Sequence, residues 1–128
     1  MRLVELEPQF KRYEERRDGD PSIKPAGGEF GDPRDYTAII KVDTLAEAQG
    51  IWFLCPACYV KNGGPVGTHM VQVGFEGRGL LPHQASQSRN GGPSRWGVSG
   101  SSYADLTLSP SIDCSCWHGH VKNGEITP

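Results

Sequence analysis

Ile51-Trp52-Phe53-Leu54-Cys55-Pro56-Ala57-Cys58 is the stretch on which the fold turns. Four apolar residues in a row, two of them aromatic and one β-branched, predict a buried strand. That strand runs straight into Cys-x-x-Cys, a tight turn that sets two sulfurs where both can reach one tetrahedral ion at about 2.3 Å. The complement lies far along the chain, in Cys114-Ser115-Cys116-Trp117-His118. All four cysteines fall into these two clusters. If the second segment is extended, Cys114, Cys116 and His118 share one face, and three donors compete for two places. Cys116 with His118 makes a site of three thiolates and one imidazole. Cys114 with Cys116 makes an all-thiolate site. Either closes a loop of nearly half the chain, with a stabilisation that rivals the whole net stability of a small domain.

The rest of the composition asks for such a staple. The chain has 128 residues, within the range of one domain over 1–128, and only 36% are hydrophobic, whereas 17 are Gly and 10 are Pro. A thin core in a loop-rich chain commonly needs a metal or disulfides. Disulfides are disfavoured because the start, Met1 to Pro8, has no apolar secretion signal. A redox Cys-x-x-Cys should open a helix in a βαβ setting, whereas here Pro56 is followed by Ala57 and a Gly-rich loop, and an iron–sulfur cluster normally takes four thiolates. Zinc is the expected cofactor, and a reducing cytoplasm the expected compartment.

Net charge is −2, and the one basic cluster, Lys11, Arg12, Arg16 and Arg17, is interleaved with Glu14 and Glu15. That pattern predicts a self-paired, solvated face, and no nucleic-acid partner is expected. No run of 18 apolar residues offers a membrane span.

Along the chain, residues 1–17 read as a short edge strand followed by a weak helical turn. Two long Gly/Pro-rich loops are expected at about 18–35 and 76–94. Tyr36–Val42 reads as a strand, and Thr44 with Glu47 as a capping box for one helical turn over 44–49. Thr68–Phe75 alternates as a half-buried strand; Arg95–Val98 and Ala104–Leu108 are short strands. Gly119–Ile126 is a hairpin turning at Asn123-Gly124. The fold class is therefore mainly β: a small zinc-stapled sandwich or zinc-ribbon-like barrel with long loops and little helix. Trp52, Trp96 and Trp117 read as packing residues.

Ser111 lies a few residues before the second cluster, and His69 opens the strand after the first. Together they are candidate catalytic residues, a serine activated by a histidine, with Asp105 or Asp113 to orient the base. The rival reading makes Ser109 and Ser111 turn residues around Pro110. His120 is a spare base or ligand should the zinc be open to water, and His83 an exposed loop residue.

The order of several pieces resembles a small family found in bacteria and in tailed phages. They are Tyr36–Val42, Phe53-Leu-Cys55-Pro-Ala-Cys58, Trp96, Thr107-Leu-Ser-Pro-Ser111-Ile112, Cys116-Trp-His118 and Val121-Lys-Asn123-Gly124. The resemblance covers about residues 36–126 and is nearer the phage type. It implies zinc held by Cys55, Cys58, Cys116 and His118, with Cys114 as the alternative ligand. Relatives tied to bacterial ubiquitin-like conjugation operons carry a proposed peptidase role, which makes Ser111 the nucleophile. The expectation is a structural zinc in a bacterial host cell or virion. It serves either a peptidase-like hydrolase or a non-enzymatic, virion-associated protein whose long loops clasp another protein.

Overall fold

The structure, a computed structural model, describes residues 1–18, 35–87 and 91–128. Nearly all of the loop expected at 18–35, and residues 88–90 of the loop expected at 76–94, lie outside these.

Among the described residues, two antiparallel four-stranded sheets make the framework, and they do not close into a barrel. The first holds β1 (Gln9–Arg16), β2 (Tyr36–Val42), β3 (Gly50–Leu54) and β4 (Met70–Gly74) in the order β2-β1-β3-β4. The second holds β5 (Gly97–Ser99), β6 (Thr107–Asp113), β7 (His118–Lys122) and β8 (Glu125–Thr127) in chain order. The one α-helix among the described residues, α1 (Pro56–Asn62), follows β3.

The N-terminus reverses the expected order. Leu3–Leu6 is a 3-10 turn that buries both leucines, and the polar stretch after it is an eight-residue strand inside the first sheet. The charges explain this. Arg12, Glu14 and Arg16 are spaced by two, which puts them on one face of a strand but not of a helix. Glu14 pairs with Arg12 at 2.9 Å and with Arg16 at 2.8 Å, and Glu15 accepts from Thr37 Oγ1 on β2 at 2.7 Å.

Two other elements differ from expectation. Cys-x-x-Cys opens a helix instead of leading directly into a loop: Pro56 starts α1, and Gly63, at φ 70, ends it, the asymmetry helices favour. Farther on, β6 continues through Ser109-Pro110-Ser111 where a turn was expected. Proline has no N–H to give a ladder, and the pairing with β7 shifts register between Leu108 and Ile112. The helical turn expected over 44–49 is a 3-10 turn at Leu45–Glu47, where Thr44 Oγ1 donates to Glu47 Oε1 at 2.7 Å.

One core joins the sheets. Phe10, Ile51, Phe53 and Val73 from the first meet Leu108, Ile112 and Val121 from the second, all essentially buried. Each such side chain contributes about 1.5–3 kcal/mol by leaving water. The backbone also crosses between the sheets. Leu3 N–H donates to Gly124 O and Ile126 N–H to Met1 O, both at 2.8 Å. Elsewhere, Trp96 N–H donates to Gly74 O at 2.8 Å, which brings the chain entering β5 onto the edge of β4.

Candidate metal centre

The ends of four strands bring five donors together. β3 delivers Cys55, and the first turn of α1 carries Cys58. His69 stands just before β4, its carbonyl accepting from Cys55 N–H at 2.9 Å. Cys114 and Cys116 lie in the connection between β6 and β7. The Sγ atoms of Cys55 and Cys114 lie within 4.8 Å of each other and of a His69 ring nitrogen, and so do those of Cys58 and Cys116. His69 is common to both triads. Cys55 is buried, Cys58 and Cys114 half-buried, Cys116 and His69 exposed.

The second arm is shaped by its own turn. Ser115 takes a left-handed φ of 74°, Cys114 N–H donates to Trp117 O at 2.9 Å, and Asp113 Oδ1 accepts from Ser115 N–H at 3.0 Å. Trp117 is buried edge-on against Phe53, with ring centroids 6.2 Å apart. The indole thus anchors the turn to the strand that ends in Cys55. Gly119 makes room for it, because a Cβ there would strike the Thr127 carbonyl oxygen and the Trp117 ring.

This turn separates residues that an extended chain would have kept together. His118, across from Asp113 in the ladder, has Nε2 3.1 Å from Ser111 Oγ. It stands outside both donor triads, whereas Cys114 is inside one. Of the residues paired by sequence reasoning, Ser111 and His69 line the same cleft of about 540 Å³, but the imidazole touching the Ser111 hydroxyl is that of His118. Asp105 is occupied elsewhere: it accepts from the Ser101 and Ser102 amides at 2.9 and 2.8 Å, which hold its carboxyl down to about 2. His83 is exposed and pairs with Glu15 at 2.9 Å. His120 lies on β7, half-buried, opposite Thr127. Trp96 is half-buried, its Nε1–H donating to Ser111 O at 3.1 Å.

The chemistry of the donor set suits a thiophilic cation. In a tetrahedral zinc site, Zn–S bonds of about 2.3 Å set neighbouring sulfurs about 3.8 Å apart; Cys55 and Cys114 Sγ are 3.9 Å apart. Among themselves the thiols suppress ionisation. Loss of hydration and then contact with Cys116 and Cys55 push Cys58 up to about 11, and burial raises Cys114. A bound divalent cation reverses that balance, because coordinating thiols are deprotonated outright. The two triads, which share His69, could therefore hold one metal ion between them.

The missed ligand candidate was His69. A histidine opening a strand two residues past Gly67 carries no spacing signal toward Cys55; the proximity arises from the β3–β4 register, where Leu54 stands opposite Met70. No known protein family, curated protein or solved structure matches the chain.

Proposed function

We propose that the protein is a zinc-stapled domain in which one structural zinc ion joins its two sheets. The observation that carries this is the convergence of Cys55, Cys58 and His69 from the first sheet with Cys114 and Cys116 from the second. Thiolate-rich zinc sites are mostly closed and structural, and a site drawing ligands from two sheets works as a cross-link. Four of the five donors fill the coordination sphere.

Elemental mass spectrometry of untagged protein tests it. About one zinc per chain is expected, lost in Cys55→Ser and kept in His118→Ala. Metal lost in His118→Ala and kept in His69→Ala would move the site to the donor set implied by the family resemblance. A metal-free wild type would end the proposal.

A second reading, hydrolysis, is favoured by one contact, the 3.1 Å between Ser111 Oγ and His118 Nε2. That is hydrogen-bond reach for a general base. Here Ser111 Oγ attacks an acyl carbonyl while its proton passes to His118. His118 returns the proton to the leaving group, and water then cleaves the acyl-serine. The check is turnover of a panel of p-nitrophenyl acyl esters: Ser111→Ala abolishes it with zinc content unchanged. Turnover that survives the substitution makes Ser111 structural.

A further inference from the structure

The cleft beside Ser111 is bounded on its other side by the outer edge of the first sheet. β4 closes that sheet, and its register decides which backbone groups face outward. Cys55 N–H donates to His69 O, and Phe75 N–H to Gln49 O, so positions 69, 71, 73 and 75 turn their N–H and C=O toward β3. Alternation in an antiparallel ladder then directs those of Met70, Gln72 and Gly74 away from it. Gly74 O is taken by Trp96 N–H at 2.8 Å and Gln72 O by Ser86 Oγ at 3.2 Å. Among the described residues, nothing takes Met70 N–H, Met70 O or Gln72 N–H, and Met70 and Gln72 both line the cleft.

A row of unpaired strand groups is a template for another strand. The protein already uses it once, where Trp96 forms a parallel bridge beside Gly74 with Phe75. We infer that the cleft binds an extended polypeptide segment, added as a strand along β4 at Met70–Gln72. Ser86, Gln87, Ser94, Ser111 and Ser115 line the cleft; among the described residues that line it there is no Lys or Arg and one carboxylate, Asp113. Those walls suit a segment poor in charge with small or polar side chains. In such recognition, main-chain hydrogen bonds supply affinity and wall contacts supply selectivity. The inference is independent of whether Ser111 is a nucleophile.

The probe is a displayed library of random ten-residue peptides, selected on the intact metal-loaded protein, with the tightest binders resynthesised. Enriched sequences should be poor in charged residues. N-methylation at one alternate set of peptide amides should weaken binding about tenfold or more, and at the other set little, since each lost bond of this kind approaches a factor of ten. Gln72→Pro removes an N–H that faces away from β3, so it should weaken binding by a similar factor while circular dichroism stays unchanged. Should that variant misfold, amide exchange on the wild type decides: bound peptide should protect Met70 and Gln72. No enrichment, indifference to N-methylation, or protection elsewhere would overturn the inference. Protection of these two amides that rises with protein concentration alone would assign the edge to a second copy of the chain.

Discussion

The two sheets are joined in two chemically different ways. At one joint the chain crosses as backbone: Met1–Leu3 hydrogen-bonds Gly124–Ile126, Leu3 and Leu6 are fully buried, and Tyr103 reaches over from the second sheet. Its ring lies 4.4 Å from that of Phe10, and its hydroxyl accepts from Phe10 N–H at 2.9 Å. At the other joint Trp117 packs against Phe53, and beyond that pair the contact is among thiols and an imidazole. The first joint is held by apolar burial and satisfied backbone. The second gathers groups that repel one another when ionised and that a bound cation would reconcile. With the proposed metal bound, one fold would distribute its cohesion between a joint that always holds and a joint that holds on condition.

Removing the metal should break this comparison most sharply. With a chelator in excess the second joint loses its cross-link. The expected stability loss is several kcal/mol, a large part of the roughly 5–15 kcal/mol a small domain has, or a fall of roughly 10 °C or more in melting temperature. Re-addition of zinc should restore it. Calorimetry that shows no change on chelation would make the two joints equivalent. Leu6→Ala addresses the first joint from inside. Deleting a fully buried leucine side chain should cost about 2–5 kcal/mol, with zinc content unchanged. A substitution that released the metal as well would show that the joints are not independent.

How much of this was legible in the sequence follows the same division. The hairpin at Asn123-Gly124 reads directly, because both positions need positive φ and have it, at 49° and 77°. β2, β3 and β4 read from β-branched and alternating residues. The cysteines announce a possible metal-binding cluster by their spacing alone, and the structure brings their two groups together with His69. The choice of imidazole is another matter. Period-2 alternation puts His118 beside Cys116, but a single left-handed residue, Ser115, ends the alternation. His69 reaches the cluster only through strand pairing. β1 was obscured because its outer positions carry charge, and its cross-strand ladders are non-local information. α1 was readable after all: Pro56 at its first position and Gly63 just past its end are the usual marks of a short helix, masked here by the two sulfurs of Cys55, just before Pro56, and Cys58, in the first turn.

The smallest expected effect sharpens the account of the first joint. The segment from Ser101 to Leu106 carries Tyr103 to Phe10, and it is shaped by Asp105, whose carboxylate accepts from the Ser101 and Ser102 amides and the Ser101 hydroxyl. These bonds hold the carboxyl at about 2, below its ordinary 3.8. A group depressed in the folded state adds stability above its unfolded value and loses it as pH falls through the folded one. Asp105→Ala should therefore destabilise less than Leu6→Ala. The gap between wild type and variant should be constant from neutral pH to about 4 and shrink between about 4 and 2. Asp105→Asn keeps an acceptor but no charge, so it should lie between them and be nearly flat against pH. Denaturant midpoints measured across that range decide it. A gap that persists undiminished at pH 2 would mean that the turn depends on the shape of Asp105 and not its charge. Tyr103 would then be delivered to Phe10 by packing alone, and even the smaller supports of the unconditional joint would owe nothing to ionisation.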